Sequence, residues 1–123
     1  MKKNFSEIVI YKTEDGQAKV NVFFERETAW LTQKRISELF GIDRSVVTKH
    51  LKKIFLTGEL ERKSNVQKMH IPNSDKAVEF YNLDVIISVG YRVNSSRATQ
   101  FRIWATKRLH EYIIKGFSID DER

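Results

Sequence analysis

Residues Thr32 to Phe55, TQKRISELFGIDRSVVTKHLKKIF, decide how this chain is read. Ile36, Leu39 and Phe40 share one face at helical spacing, and Val47, Leu51 and Ile54 form a second apolar stripe. Between the stripes stands Gly41, the residue type that ends a helix in a left-handed conformation. Thr32 and Asp43 are N-caps, and Leu31 with Ile36 and Ile42 with Val47 are spaced as hydrophobic staples. Ser37 is small where two helices crossing over a short turn approach most closely. These positions fit a helix-turn-helix: a first helix opened by Gln33, a turn at Gly41, and a second helix from Arg44 to Phe55.

The second helix carries the chemistry. From Arg44 to Phe55 there is no acidic residue, while Arg44, Ser45, Thr48, Lys49, His50, Lys52 and Lys53 are donors for phosphates or base edges. The N-terminal half of such a helix enters the major groove, so Arg44, Ser45 and either Thr48 or Lys49 are the expected base readers. Lys52 and Lys53 are better placed to neutralise the backbone, and Thr32 and Gln33 complete the DNA-facing set. The plainer alternative is a solvated basic helix in a structural core.

Before this unit, residues 5–13 and 18–25 are β-rich runs around Glu14-Asp15-Gly16-Gln17 and predict a hairpin. Ala29-Trp30-Leu31 reads as a short apolar lead into the first helix. After it, residues 64–71 and 76–81 predict a second hairpin around Pro72-Asn73-Ser74-Asp75. A hairpin in that position reads as a wing, with Arg62, Lys63, Lys68, His70 and Lys76 for phosphate or minor-groove contacts, diluted by Glu59, Glu61 and Asp75. The competing reading is that it completes a small sheet with the N-terminal strands.

Asn82 caps an expected helix over 83–91, and Asn94-Ser95-Ser96 caps a long one from Arg97 to Lys115, stopped by Gly116. Ala98, Phe101, Ala105, Leu109, Tyr112 and Ile113 give this last helix a core-facing stripe. Residues 85–110 again lack acids, and Arg97 and Arg102 are candidate phosphate clamps unless they pair with Glu25, Glu27 or Glu38 inside the fold. Ile113, Ile114 and Phe117 are surplus apolar residues suited to a dimer interface. The expected fold is α+β: a winged helix-turn-helix-like domain with an N-terminal β-hairpin, a second hairpin as wing and a long C-terminal helix. It forms one domain over 1–118, followed by a flexible acidic tail at 119–123.

Composition sets the outer bounds. The 123 residues are 41% hydrophobic, enough for one core, and Lys plus Arg number 22 against 16 Asp plus Glu, a net +6 that favours a polyanionic partner. Without cysteine there is no disulfide, thiolate or Cys-based metal site. Apolar runs such as Val85-Ile86-Ile87 fall far short of the roughly 20 residues a bilayer span requires, and no signal-peptide core is present, so a cytoplasmic protein without membrane contact is expected. His50, His70 and His110 stand at no metal-ligand spacing, no Walker loop occurs, and Ser95-Ser96 are ordinary caps. No catalysis, metal or cofactor is therefore expected.

Long runs also resemble a known family. Trp30-Leu31-Thr32-Gln33, Leu39-Phe40-Gly41, Thr48-Lys49-His50, Ile54-Phe55, Gly58-Glu59-Leu60, residues 81–95 (YNLDVIISVGYRVNS) and residues 99–106 (TQFRIWAT) resemble the bacterial RhuM virulence-associated family. Phe101-Arg102-Ile103-Trp104, followed by Leu109 and Ile113, is similar at a weaker level to the Bro-type N-terminal domain of phage antirepressors. The resemblance implies a bacterial protein of pathogenicity islands or mobile elements that binds DNA through its helix-turn-helix. It also implies a C-terminal region in longer relatives. The expectation is a sequence-specific regulator binding double-stranded DNA as a homodimer. The alternative is a protein-interaction module whose last helix docks a partner or that C-terminal domain.

Overall fold

The computed structural model describes residues 6–71 and 74–121, with side chains from Glu7 through Tyr112. Five strands, β1 (Ser6–Lys12), β2 (Lys19–Glu25), β3 (Thr28–Thr32), β4 (Val66–His70) and β5 (Ala77–Asn82), form one antiparallel sheet in the order β1-β2-β3-β5-β4. The helices are α1 (Gln33–Phe40), α2 (Arg44–Leu56), the single turn α3 (Arg62–Asn65), α4 (Leu83–Val93) and α5 (Ser95–Asp121). The α+β class expected from the sequence is thus observed. The second hairpin is joined to the first through β3 and β5, so it completes one sheet with the N-terminal strands. No helix among the described residues is long and apolar enough to cross a membrane.

Alternation builds the N-terminal strands. Val20, Val22 and Phe24 of β2 are fully buried, and Val9 and Tyr11 of β1 face the same side. Strand β3, which the sequence presented as a lead into α1, breaks the alternation because it is central and covered on both faces. Ala29 and Leu31 enter the main core under the helices, while Trp30 joins Phe80 and Met69 in a smaller cluster on the other face. The β2–β3 turn also lacks its usual signal: its two loop residues, Arg26 (φ 54°) and Glu27 (φ 65°), are left-handed without being Gly or Asn.

Helix boundaries follow side-chain caps. Thr32, the last residue of β3, accepts the Arg35 N–H at 3.2 Å, and Asp43 accepts that of Ser45 at 3.0 Å. Asn82 and Asn94 cap α4 and α5 by accepting the amides of Val85 and Arg97, both at 3.2 Å. Several boundaries differ from expectation: α2 runs on to Leu56, α4 runs on to Val93, and α5 begins at Ser95, so Ser95 and Ser96 lie inside the helix and Asn94 alone is its cap; two further differences are larger. Ser64 and Asn65, expected in a strand, form the end of α3, because Asn65 turns inward, donating to the Glu61 carbonyl at 2.6 Å and accepting from Asn82 at 2.8 Å. Gly116, expected to end the last helix, is carried inside α5 at a propensity cost of about 1 kcal/mol. The tail expected at 119–123 therefore overlaps the helix end, with 122–123 outside the described residues; the side chains of Ile113, Ile114 and Phe117 also lie outside them.

Helix α5 lies over β1 and β2 through its aromatic stripe. Tyr11 meets Phe101 edge-on at 5.2 Å between ring centroids and Trp104 at 4.7 Å, and Phe24 touches Trp104 and Tyr112 at 5.6 and 5.7 Å. At Gly90 of α4, a Cβ would stand 2.5 Å from the Phe40 ring and 2.7 Å from Ala98 Cβ, so α1, α4 and α5 meet there with no room for a methyl group. Gly90→Ala should lower the unfolding free energy by about 1–3 kcal/mol in urea denaturation. In the same assay, Arg26→Asn with Glu27→Gly should raise it by about 1 kcal/mol, by relieving two left-handed non-glycine residues.

Candidate nucleic-acid interface

Polar contacts fix the helix pair at both ends. Gly41, left-handed at φ 67°, donates to the Ser37 carbonyl, and Ser37 is buried with its hydroxyl donated to Lys34 at 2.6 Å. Arg97 crosses from α5 and donates to the Leu39 carbonyl at 2.9 Å, satisfying an acceptor that the end of α1 leaves open. Its guanidinium, with the side chain 14% exposed, also pairs with Asp15 of the first hairpin at 3.0 Å. On the other side, the Gln33 side-chain amide donates to the Arg44 carbonyl at 3.2 Å and to the Thr48 hydroxyl, which itself donates to Arg44 O at 3.0 Å. Gln33 thus clamps the first turn of α2.

With Val47, Leu51 and Ile54 buried, helical spacing turns Ser45, Lys49, Lys52 and Lys53 outward, and all four are exposed. Arg44 is exposed at the helix start, and none of Arg44, Lys49, Lys52 and Lys53 forms an ion pair with a described residue. Ser45 donates both its N–H and its hydroxyl to Asp43, which holds the Asp43 carboxyl below its ordinary range. His50 is half-buried, and burial, then the charges of Arg92, Lys49 and Lys53, push its pKa down.

The other expected site residues separate from this face to different degrees. Thr32 is a buried cap, and Thr48 is half-buried within the Gln33 clamp. Lys68 is exposed on β4 opposite Glu79. Arg102 is exposed and donates to the Tyr91 hydroxyl at 3.1 Å, so neither Arg97 nor Arg102 takes the glutamate partners considered from the sequence. Arg62, expected on the wing surface, instead joins the hairpin to α2: it lies over the Phe55 ring at 5.4 Å and pairs with Glu79 at 2.7 Å, holding that carboxyl below its ordinary range.

Two surface features had no clear sequence signal. Between α2 and the β4–β5 hairpin runs an open groove of about 690 Å³ with Leu51, Phe55 and Leu56 in its lining and Lys52 among them. Leu56, 87% exposed, continues the outward row of Ser45, Lys49 and Lys52, a spacing readable only once the helix is known to extend past Phe55. A second depression of about 560 Å³ beside α1 is lined by Lys19, Lys34, Arg35 and Arg44 together with Glu38 and Glu79. No group of three His, Cys, Asp or Glu side chains that could hold a metal occurs among the described residues.

An α+β domain displaying a basic, acid-free helix beside a two-stranded hairpin is the class that this geometry defines. Residues 60–123, more than half of the chain, match the family model described as the Virulence protein RhuM family, and the chain belongs to that family. The matched segment takes in α3, β4, β5, α4 and α5 and begins after α2. No curated protein and no solved structure matches the chain.

The Asp15 contacts yield a pH test. Its carboxylate accepts the Gln17 N–H at 3.0 Å, the Thr13 hydroxyl at 2.7 Å and the Arg97 guanidinium, which together lower its pKa from 3.8 to about 2. A depressed carboxyl contributes its stability in full above 3.8 and loses it as pH falls toward 2. Melting temperature should therefore drop over that interval, and Asp15→Asn should make the drop shallower while lowering the plateau above it.

Proposed function

We propose that this chain is a sequence-specific duplex DNA-binding protein, a transcriptional regulator of a mobile element or pathogenicity island. In this reading α1 and α2 are a helix-turn-helix, α2 enters the major groove, and the β4–β5 hairpin is a wing carrying Lys68 to the flanking phosphates. The supporting observation is the outward face of α2, where Ser45, Lys49, Lys52 and Lys53 are exposed, free of acidic neighbours on the helix, and without ion-pair partners among the described residues. Arg44 and Ser45 lie at the end that meets base edges, and Lys52 and Lys53 at the end that meets backbone. Its action is binding without catalysis, and it binds as a homodimer, because one 13-residue helix makes few base contacts and a two-fold site doubles them.

Selection from random duplex DNA should enrich paired half-sites, and Arg44→Ala with Lys49→Ala should abolish the enrichment. On the selected site, Lys52→Ala with Lys53→Ala should reduce the slope of log affinity against log salt by about 2, as expected for two lost phosphate contacts. Unchanged affinity and slope in that variant would remove α2 from the interface.

The second reading is a protein-interaction module, and the groove beside the exposed Leu56 favours it. The last helix cannot supply the aromatic stripe for such docking, since Phe101 is fully buried and Trp104 is packed on Tyr11 and Phe24. Salt separates the readings: apolar docking survives an ionic strength that dissociates phosphate contacts.

A further inference from the structure

Strand β1 ends the sheet, with β2 on one side and no strand of described residues on the other. An edge presents a row of unpaired backbone donors and acceptors, and monomeric proteins blunt such edges with charge, brevity or proline. The two edges here differ in this respect. β4 has five residues and exposes Lys68 and His70. β1 has seven and exposes Ile8 (44%) and Ile10 (62%) on the face away from the helices. Its charges stand near its ends, at Glu7 and Lys12, and Glu7 is already engaged by Arg108 at 3.7 Å and by the Tyr112 hydroxyl.

The strand is also complementary to itself. Antiparallel pairing with a second copy about a two-fold axis at Val9 sets each Ile8 opposite Ile10 of the other copy, Val9 opposite Val9 and Lys12 opposite Ser6, with no like charges facing. Side-chain parity is kept. The outer row Ile8, Phe23, Trp30, already aligned across three strands, is continued by Ile10 of the second copy. A slip of one residue would face these isoleucines with core-side residues, and a slip of two would leave either Ile8 against Lys12 or Ile10 against Ser6.

We propose that β1 pairs with β1 of a second copy in this register, joining the two sheets into one. The proposal deepens the homodimer of the DNA-binding reading and rests on it for the dimer's purpose, the presentation of two α2 helices to one duplex. Its test needs no DNA. Sedimentation velocity up to ~100 µM should show a reversible monomer–dimer equilibrium, because a strand pair buries less than a standard interface. Ile8→Lys with Ile10→Lys should be monomeric at an unchanged melting temperature, whereas Ile103→Lys, at an exposed position of α5, should still dimerise.

The register has its own test, free of background because the chain has no cysteine. Residues directly opposite in an antiparallel pair have Cα atoms about 4.5–5.5 Å apart, within disulfide reach. Ile8→Cys mixed with Ile10→Cys should cross-link under mild oxidation many-fold faster than either variant alone. A wild type monomeric throughout, a Lys variant that still dimerises, or equal cross-linking in the single-variant samples overturns the proposal. If the dimer fails while salt-dependent DNA binding persists, the β1 pairing falls and the DNA reading stands; a dimer that retains no DNA gives the converse.

Discussion

The burial of β3 on both faces is the constraint on which the other elements depend. Its five residues pair with β2 on one side and β5 on the other, fill the main core with Ala29 and Leu31, and close the smaller cluster with Trp30. Its last residue, Thr32, is also the cap of α1, so the strand sets the origin and direction of the helix pair without an intervening loop. Trp30 donates its indole N–H to the Glu25 carbonyl at 2.8 Å, which satisfies the one polar atom of a side chain buried on the outer face. A strand so constrained cannot shift by a residue without exchanging the contents of the two cores.

The surface of α2 inherits its geometry from this frame through polar contacts spread over much of the chain. Gln33 ties α1 to the first turn of α2, Arg97 of α5 takes the Leu39 carbonyl, and Arg92 of α4 pairs with Glu59 just beyond α2. The Gln33 and Arg92 contacts lie at the surface and add direction more than stability, whereas Arg97, 14% exposed, also satisfies a carbonyl of the buried Leu39. The basic residues left over, Arg44, Lys49, Lys52 and Lys53, are therefore held on a helix whose orientation is set elsewhere. That pre-organisation limits the ordering cost of any contact made by this face.

Local signals made much of the fold legible. Thr32, Asp43, Asn82 and Asn94 each act through contacts within three residues, and the stripes of α1, α2 and α5 obey helical spacing, so these elements are written in short windows of sequence. Strand β3 was not, because a central strand has no alternation and its turn carries Arg26 and Glu27 where Gly or Asn is the usual signal. The turn of α3 depends on Asn65 reaching Asn82, a contact across 17 positions. Of the candidate site, the composition of the α2 face could be read directly. The roles of Arg62 and Arg97 could not, because a sequence shows that an arginine is present and not which carbonyl, ring or carboxylate lies within its reach.

The family match begins at residue 60, after the helix pair, yet the matched segment does not close on itself. It supplies two strands, β4 and β5, and a two-stranded ribbon is marginal in water. β5 completes its pairing through β3, Gly90 is shaped to receive Phe40, and Arg97 reaches Leu39 and Asp15, all outside the matched segment. The matched segment is thus built around the N-terminal half and needs it to bury its own apolar faces. The helix pair is part of that structural requirement whatever its outward residues contact, so Leu39, Phe40 and Gly41 are constrained by the segment that packs on them while the exposed face of α2 is not.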